Sequence, residues 1–425
     1  MKYLEDGFIP LPVTIFIDLS KAFDTINHNI LLEKLSFYGL DDLSLKWFRS
    51  YVSNRQQFVS LNNTDSPLQN ILTGVPQGSI LGPLLFLIYV NDLPLSVNCK
   101  SIMYADDTCL IHPIKINSND ILANLETQTT INNDLQNLYN WLSVNKLSLN
   151  VSKTKFMLFH YSQNKTVLLH IPILKINNIP ISYVNSMKFL GITFDKNLTF
   201  DIHIQQVANK LSKTNGVLSL LKQYIPQNIL KTIYNSLFLP FLNYGVCVWG
   251  FGICDRITII QKKALRNITN STYLAHTKPL CKQTNCLLFN DILKLSCLKF
   301  YFKFNCNQLP GYFYANNFIK KNNNTFINLR HDHSRPTNLN NFQSNIPITS
   351  KTILTIPFLS KSLSNKSLRY YVPHLINSLF IPLNILVKVD THSLQNFTHS
   401  CKKFIISNYN IICDNPHCYV CHSIN

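Results

Sequence analysis

The stretch Tyr104-Ala105-Asp106-Asp107 constrains this chain most, because two adjacent carboxylates stand between two short apolar runs. Apolar segments on both sides of a polar tip predict a β-hairpin whose turn carries the acids. Neighbouring carboxylates repel each other and add little to the stability of a turn. A divalent cation shared between them would remove that repulsion, and hard oxygen ligands suit Mg²⁺. For an isolated pair, the alternative is a solvated turn without a ligand.

A third carboxylate, Asp18, directly follows another apolar segment, Pro12–Ile17, which predicts a buried strand. Between this strand and the hairpin lies a glycine-rich turn, residues 74–79, which opens an apolar helix through Tyr89. If the strand and the hairpin are neighbours in one sheet, Asp18 and Asp106 converge on one point. Two Mg²⁺ ions held there, about 3.5–4 Å apart, would activate a hydroxyl nucleophile and stabilise the leaving oxygen in phosphoryl transfer.

The spacing of apolar residues predicts strands and helices up to residue 194 and mainly helices after it. Further helices are predicted over Asn29–Tyr38, Leu43–Tyr51, Asn119–Asn145, Ile204–Leu221, Pro226–Leu239, Arg256–Ile268 and Phe289–Phe304. Further strands are predicted over Gln57–Leu61, Lys155–Tyr161, Ile171–Ile176, Ile179–Val184 and Met187–Phe194, with a hairpin turn at Asn177-Asn178. From residue 320 the chain is rich in Asn and Ser, which predicts looser order.

The net positive charge of the chain lies entirely in its second part. Residues 1–194 carry 14 basic and 14 acidic residues, whereas residues 195–425 carry 25 basic and 7 acidic ones, so the second part holds the whole net charge of +18. A basic region beside a neutral one that keeps its acidic residues predicts contact with a polyanion. The alternative is a basic protein without such a partner.

The composition, 46% hydrophobic over 425 residues, is sufficient for two or three domains. The longest apolar run, Ile80–Val90, is too short to span a bilayer. The first residues lack the basic-then-apolar layout of a signal peptide. We therefore expect no membrane partner and an intracellular protein, nuclear or cytoplasmic and not secreted, whose 12 cysteines are mostly reduced.

Five short segments follow one another in a fixed order along the first part of the chain. They are residues 16–24 (FIDLSKAFD), 74–83 (GVPQGSILGP), 104–107 (YADD), 145–154 (with Asn145-Lys146-Leu147, Asn150 and Lys153-Thr154) and 189–191 (FLG). In this order they resemble motifs A to E of the reverse transcriptases (RNA-directed DNA polymerases) of non-long-terminal-repeat retrotransposons, of the Jockey-like kind.

The resemblance implies an α+β fold: a right-hand polymerase palm, with a small antiparallel sheet packed on helices, followed by a helical, basic thumb. The implied parts are a palm over residues 1–194, a thumb and connection region over residues 195–319, and a loosely ordered, Asn-rich region over residues 320–425. The fingers region and the endonuclease domain that the family places upstream are expected to be missing, so that the chain resembles an N-terminally truncated member.

The resemblance also implies the ligands of the metal and the substrates. Asp18 and Asp106, with Asp107 assisting, would hold two Mg²⁺ ions. The chain would extend a DNA primer on an RNA template with deoxynucleoside triphosphates. Two alternatives stay open: a catalytically inactive remnant that only binds nucleic acid, and a maturase of the group II intron type, which uses the same palm to help RNA fold.

The resemblance implies that the loop after Asp18 binds the incoming nucleotide. The backbone of Leu19, Ser20, Lys21 and Ala22 would lie along the triphosphate. The ring of Phe23 would stand under the sugar and clash with a 2′-hydroxyl, so that deoxynucleotides are selected. The alternative for Phe23 is ordinary core packing.

Further roles follow for the template and the leaving group. Gln77 and Gly78 would contact the nascent base pair and the template, where a glycine lets a backbone approach closely. Lys153 would donate a proton to the departing pyrophosphate, with Lys155 as its competitor. A solvated strand end is the alternative for either lysine.

The primer terminus would be held by Phe189-Leu190-Gly191, while Tyr104 is expected to be half-buried support. In the second part, basic residues on predicted helices beside Tyr301 and Phe302 fit a thumb that follows phosphates without reading bases. These are Lys262, Lys263, Arg266, Lys294, Lys299 and Lys303. The alternative is that they form solvated helix faces.

The C-terminal tail carries Cys413, His417, Cys418 and Cys421, a set of soft ligands that could close a zinc site. Only one C-x-x-C is present, without a second pair at the usual separation, so unliganded cysteines are the alternative. Residues 418–422 also fit the haem-attachment pattern C-x-x-C-H, which we expect to be accidental in an intracellular protein.

Overall fold

A computed structural model describes residues 11–114, 121–160, 171–315, 320–322, 353–355, 371–372, 375 and 393–409. The chain forms two compact units, residues 1–199 and 200–425. The described part of the first unit is α+β, and that of the second is mainly helical. The sequence predicts the first boundary a few residues earlier, and its further division at residue 319 stays a prediction.

A five-stranded sheet forms the centre of the first unit. Its strands are β1 (Leu11–Ile17), β7 (Lys100–Tyr104), β8 (Asp107–Ile114), β10 (Lys155–Leu158) and β13 (Ser182–Tyr183). Their order is β13-β10-β1-β8-β7, and all neighbours are antiparallel except β10 and β13. The strand with the continuous apolar sequence, β1, therefore lies in the middle, where both of its faces are buried.

The side chains of the sheet point alternately into two apolar clusters, because successive residues of a strand face opposite sides. Val13, Ile15 and Ile17 of β1 are buried in the larger cluster. Phe16 belongs to the smaller cluster on the other face, together with Cys109 of β8. The two faces of β1 are thus covered by different parts of the unit.

The four helices predicted in the first unit are confirmed, with ends shifted by a few residues. They are α1 (His28–Phe37), α2 (Asp42–Val52), α3 (Leu81–Val90) and α4 (Ile121–Val144). A 3₁₀ turn, Leu93–Ser96, follows α3. As the spacing predicts, α4 buries Ile131, Leu135, Leu138 and Leu142 in the larger cluster.

Short strands form five two-stranded ribbons around the sheet: β2 (Leu19–Ser20) with β9 (Ser148–Leu149), β3 (Arg55–Gln57) with β6 (Gln69–Ile71), β4 (Ser60–Leu61) with β5 (Thr64–Asp65), β11 (Lys175–Ile176) with β12 (Ile179–Pro180), and β14 (Ser186–Phe189) with β15 (Ile192–Asp195). The hairpin predicted at Asn177-Asn178 is confirmed. The single strand predicted over Met187–Phe194 is wrong. Leu190 and Gly191, at φ of +47° and +77°, form a two-residue turn between β14 and β15.

The second unit contains a π-helical segment, Tyr234–Phe238, a short ribbon of β16 (Lys320–Asn322) with β17 (Ile353–Thr355), and these α-helices: α5 (Asp201–Leu221), α6 (Gln227–Ile233), α7 (Leu239–Asn243), α8 (Val246–Trp249), α9 (Asp255–Ile268), α10 (Thr277–Thr284), α11 (Phe289–Asn305), α12 (Gly311–Ala315) and α13 (Leu394–Ser407). The helices predicted in this region are confirmed, although the one predicted over Pro226–Leu239 is divided by the π-helical segment. Within the described residues, no helix combines the length and the apolar character needed to cross a bilayer.

The looser order predicted from residue 320 onward is wrong for α13. Phe397 of this helix packs against Phe302 of α11, with ring centroids 5.0 Å apart. Tyr409, just after α13, donates its hydroxyl hydrogen to the carboxylate of Asp291 in α11 over 2.6 Å. Buried apolar residues at helical spacing attach α13 to the core of the unit, and they outweigh the polar composition of the region.

Candidate active site

Three carboxylates meet at one end of the central strand pair. Asp18 directly follows β1, and Asp107 is the first residue of β8. The register of the two strands pairs Ile17 with Thr108, so Asp18 and Asp107 are neighbours across the ladder. Asp106 precedes Asp107 in the hairpin turn. The strand end and the acidic hairpin are therefore adjacent in one sheet.

The acidic hairpin has a two-residue turn, because Tyr104 and Asp107 form the last pair of β7 and β8. Ala105 adopts the left-handed conformation in this turn, at φ of +53°, which costs a residue with a Cβ about 1 kcal/mol. The prediction that Tyr104 is half-buried is wrong, since its side chain is 67% exposed. The reason is that β7 is an edge strand, and Tyr104 shares its face with the exposed Ile102.

The three carboxylates repel one another. Burial raises the pKa of Asp107 above that of a free aspartate, and the charges of Asp106 and Asp18 raise it further. Among the described residues, no basic side chain forms an ion pair with any of the three. A cluster of hard carboxylate oxygens without a counter-charge fits a divalent cation of the Mg²⁺ type.

The main chain of Asp18 is fixed by the segment that follows β9. The amide of Asn150 donates to the Asp18 carbonyl over 2.8 Å. The Asp18 amide donates to Thr154 Oγ1 over 3.3 Å, and this hydroxyl donates to the Asn150 carbonyl over 3.0 Å. These three hydrogen bonds form a closed ring that holds the end of β1 in place. Asn150 and Thr154 both belong to the segment that resembles motif D.

The two candidate lysines near this ring differ in their surroundings. Lys153 is exposed, and in the described part of the chain its ammonium forms no ion pair. Lys155 lies in β10 and donates to Ser182 Oγ over 3.3 Å. Of the two, Lys153 is the one whose side chain is available to a ligand.

The glycine-rich turn docks on the loop that follows Asp18. The Gly74 amide donates to the Ile26 carbonyl over 2.7 Å, and the Val75 amide donates to the Phe23 carbonyl over 2.9 Å. Gly74 has φ of +88°, and a Cβ added there would lie 2.8 Å from the Cα of Asp24. Only glycine fits this position, because a side chain would meet backbone atoms that cannot move aside.

The side chains of this turn contact the same loop through Asp24. The amide nitrogen of Gln77 donates to Asp24 Oδ1 over 2.7 Å, and Thr73 Oγ1 donates to the Asp24 carbonyl over 2.9 Å. Gly78 is different, because a Cβ there would meet nothing within 4 Å. Its positive φ, +78°, favours glycine, and the space in front of it is open.

Phe23 is half-buried, and its ring packs on Phe86 of α3 with centroids 4.5 Å apart. One part of the Phe23 ring therefore packs in the core, which is the alternative given above, and the rest of the ring is accessible to solvent. Core packing and contact with a ligand are compatible at this position.

A pocket of about 780 Å³ opens where the loop after Asp18, the glycine-rich turn and the β3–β6 ribbon meet. Its charged lining residues are Lys21, Asp24 and Arg55. Arg55 is exposed, and no ion pair engages it among the described residues. Asp24 ends the segment that resembles motif A but has no predicted role there, and Arg55 lies outside all five motifs. A single arginine before a short strand has no pattern, although its position in the polar run Arg55-Gln56-Gln57 is a weak signal.

The residues predicted to hold a primer form the tip of the β14–β15 hairpin. Leu190 and Gly191 are its turn, and Phe189 is the last residue of β14. Phe189 packs on the smaller cluster of the sheet, which contains Phe16. The hairpin therefore covers the face of β1 that lies opposite the larger cluster.

The basic residues predicted for the second unit lie on its helices, but the aromatic residues beside them are not available to a ligand. Tyr301 and Phe302 are only 8% and 1% exposed, so the prediction that they accompany a basic surface is wrong. Lys263 and Lys303 are exposed, whereas Lys294 forms an ion pair with Asp291 over 3.1 Å. The tail residues Cys413, His417, Cys418 and Cys421 lie outside the described residues.

Comparison with known proteins places the site in a family context. A family model described as reverse transcriptase (RNA-dependent DNA polymerase) matches residues 12–194. The chain is 28% identical over 303 residues to a probable RNA-directed DNA polymerase from transposon X-element of Drosophila melanogaster, a match over 67% of this chain and 31% of that protein. It is 29% identical over 281 residues to the RNA-directed DNA polymerase from mobile element jockey of the same organism, over 62% of this chain and 29% of that protein. The chain thus spans about a third of the length of these curated relatives.

Among solved structures, a telomerase from Candida tropicalis in complex with a fragment of telomeric RNA aligns at a TM-score of 0.31 and 12% identity. The alignment covers 69% of this chain and 50% of that one. At this TM-score the likeness adds nothing to the fold described above.

Proposed function

Because residues 12–194 match the model of the reverse transcriptase (RNA-dependent DNA polymerase) family, we propose that this chain is the polymerase of a non-long-terminal-repeat retrotransposon. It would extend a DNA primer on an RNA template with deoxynucleoside triphosphates. One observation carries this proposal. The end of β1 lies beside the acidic hairpin, so Asp18, Asp106 and Asp107 form one carboxylate cluster without a counter-charge among the described residues.

The first unit is proposed to be the palm, and the cluster is proposed to bind two Mg²⁺ ions. When bound, these ions would supply Lewis-acid activation of the primer hydroxyl and of the phosphate. The chain itself supplies the rigidity of the site. The hydrogen-bonded ring of Asp18, Asn150 and Thr154 fixes the main chain that carries one carboxylate, and the short turn at Ala105 carries Asp106 next to Asp107. Catalysis by positioning depends on such rigidity.

The pocket lined by Lys21 and Arg55 is proposed to receive the phosphates of the incoming nucleotide, alongside the backbone from Leu19 to Ala22. Two exposed cations on one polar pocket are suited to an anionic ligand. Phe23, anchored on Phe86, would present the accessible part of its ring to the sugar. A ring fixed by core packing discriminates better against an extra hydroxyl than a mobile one, because it cannot swing aside.

The remaining roles concern the template, the primer and the leaving group. Gly78, with open space in front of it, is proposed to contact the nascent base pair, and Gln77 would hold this turn through Asp24. Lys153, exposed beside the ring that holds Asp18, is proposed as the proton donor to pyrophosphate. The tip at Phe189-Leu190-Gly191 would support the primer terminus, and the basic second unit would act as the thumb.

The test is primer extension by the purified chain on an RNA template annealed to a DNA primer, with Mg²⁺ and the four deoxynucleotides. We expect extension that Asp18→Ala and Asp106→Ala both abolish and that Asp107→Asn reduces less. Equal activity of the wild type and Asp106→Ala would reject the metal role. If the wild type and Asp106→Ala bind the RNA–DNA duplex equally tightly and neither extends the primer, the chain is the inactive nucleic-acid-binding alternative.

A further inference from the structure

A second group of side chains that can bind a metal lies on the face of the sheet that the larger cluster covers, apart from Asp18, Asp106 and Asp107. Cys99 immediately precedes β7, His112 lies in β8, and Asp134 lies in α4. One potential ligand atom from each of the three lies within 4.8 Å of the other two. Because side chains alternate along a strand, His112 points to the same face as Leu110, which is part of the larger cluster. Asp107 has the opposite parity and belongs to the other face.

The group is buried, which distinguishes it from a chance cluster on the surface. His112 is 6% exposed and Asp134 is 2% exposed, while Cys99 is half-buried. An ionised carboxylate in such surroundings needs compensation by hydrogen bonds or by a cation. The compensation visible in the structure is only partial.

The hydrogen bonds of the group converge on the carboxylate of Asp134, with which the Cys99 thiol also forms a hydrogen bond. The backbone amide and the side-chain amide of Asn98 both donate to Asp134 Oδ1, each over 3.1 Å. Asp134 Oδ2 faces His112 Nδ1 at 3.9 Å, which is longer than a hydrogen bond. Among the described residues, the buried His112 Nε2 has no hydrogen-bond partner. Asn98 thus orients the carboxylate, as an outer partner of a metal ligand does.

The geometry points to a zinc site formed by Cys99, His112 and Asp134. A thiolate, an imidazole and a carboxylate are the ligand types that Zn²⁺ takes in proteins, whereas Mg²⁺ prefers oxygen ligands alone. Three protein ligands leave a fourth tetrahedral position, which water can fill because Cys99 is half-buried. The inference is independent of the proposed polymerase function.

Binding of the ion requires the loss of one proton. Burial, the charge of Asp134 and a hydrogen bond to its carboxylate together raise the pKa of the Cys99 thiol to about 12. Without metal the thiol therefore keeps its proton. When Zn²⁺ forms a bond to the sulfur, the S–H bond breaks and the proton passes to solvent, so affinity increases with pH.

A zinc ion at this position would join the start of β7, the middle of β8 and α4. These two strands carry Asp106 and Asp107 at their turn. The ion would thus stabilise the hairpin by joining its strands to α4, and it would take no part in the chemistry at the turn. The alternative is a metal-free cluster in which the Cys99 thiol donates to Asp134.

The experiment measures zinc in the full chain carrying Cys418→Ser and Cys421→Ser, which removes the contribution of the C-terminal tail. We expect about one zinc ion per chain in this background. Cys99→Ala should lose the ion, whereas Cys109→Ala should keep it. Cys109 is the matched control, because it is a buried cysteine of the same hairpin whose side chain faces the other cluster. A folded background chain without zinc, or equal zinc in the two alanine variants, would overturn the site.

A second measurement needs no substitution at the site. The background chain is alkylated before and after treatment with a chelator, and each cysteine is quantified by peptide mass spectrometry. We expect the alkylation rate of Cys99 to change by at least about 10-fold when the zinc is removed, while the rate at Cys109 changes little. An unchanged rate at Cys99 would indicate the metal-free cluster.

Discussion

The ring of Phe189 lies 5.4 Å from the ring of Phe16, centroid to centroid, at an interplanar angle of 54°. Phe16 is two residues before Asp18 on β1, and Phe189 is the residue before the turn of the β14–β15 hairpin. The hairpin tip proposed to hold the primer is thus joined by one aromatic contact to the strand that presents a proposed metal ligand. Such a contact would couple the position of a primer held at this tip to that of the carboxylates.

Replacing Phe189 by alanine should disturb primer placement more than it disturbs folding. We expect the free energy of unfolding to fall by about 1–3 kcal/mol, since the ring is only partly buried. The KM for primer-template should rise, because the tip loses its support on β1. Urea unfolding and steady-state extension give the two values. Met187→Ala, in the same strand and cluster, is the control. An equal rise in KM in both variants would contradict a specific role of the aromatic contact.

Asp107 should oppose folding when no cation is present. Its pKa is raised, so protonated Asp107 stabilises the folded chain at low pH, and this contribution disappears as the pH rises through the raised value. At neutral pH without Mg²⁺, Asp107→Asn should therefore have a higher Tm than the wild type. Added Mg²⁺ should raise the Tm of the wild type more than that of the variant.

Differential scanning calorimetry with and without Mg²⁺ measures both effects. Asp65→Asn removes an exposed aspartate elsewhere in the first unit and serves as the control. If Asp65→Asn and Asp107→Asn respond alike to Mg²⁺, the cation does not bind at the carboxylate cluster.

Two glycines of the same turn should respond differently to alanine. Gly74→Ala should destabilise the chain by more than about 2 kcal/mol, because the new Cβ would lie 2.8 Å from backbone atoms of Asp24. Gly78→Ala should cost only about 1 kcal/mol, which is the strain of its positive φ. Its extension rate should nevertheless fall strongly, since the methyl group enters the space proposed for the base pair. Full activity of Gly78→Ala would remove this residue from the template site.

Phe23→Val should admit ribonucleotides. The smaller side chain leaves room for a 2′-hydroxyl, and its lost contact with Phe86 should lower stability by about 1–2 kcal/mol. Incorporation of dGTP and rGTP, compared as kcat/KM, measures the discrimination. Phe86→Leu weakens the same contact but keeps the Phe23 ring, so it should preserve more of the selectivity. Unchanged discrimination in Phe23→Val would remove the proposed gate.

Duplex binding should depend on salt through the second unit. Replacing both Lys262 and Lys263 of α9 by alanine should lower the slope of log Kd against log salt by about 2, if each contacts a phosphate. Fluorescence anisotropy with a labelled RNA–DNA duplex provides the Kd. Lys46→Ala, an exposed lysine of α2, controls for net charge. If the salt slope of the double variant changes no more than that of Lys46→Ala, the duplex does not contact Lys262 and Lys263.

Local patterns in the sequence determined much of the first unit. The apolar run before Asp18 gave a central strand, and the apolar flanks of Asp106 and Asp107 gave a hairpin. Periodicity likewise located the helices, because a helical stripe repeats within a few residues of chain. The order of the five motifs by itself predicts the family whose model matches residues 12–194.

Exposure could not be obtained from such patterns. Leu43 and Trp47 have helical spacing and do lie on α2, yet they are 76% and 54% exposed. Tyr301 and Phe302 stand beside basic residues in the sequence but are buried. Which face of an element is covered depends on what packs against it, and this is a property of the assembled unit rather than of the segment.

The sequence by itself determined which residues carry acids, which glycines mark turns, and where strands and helices occur, because these depend on neighbours in the chain. Only the tertiary structure brought Asp24 to Gln77, Asn150 to Asp18, and Cys99 to His112 and Asp134. Each of these contacts joins segments that are distant in sequence. No regular spacing relates the two partners, so the contact could not be inferred from the sequence. The register of a sheet and the docking of a turn decide them, since both are selected by the packing of the whole unit.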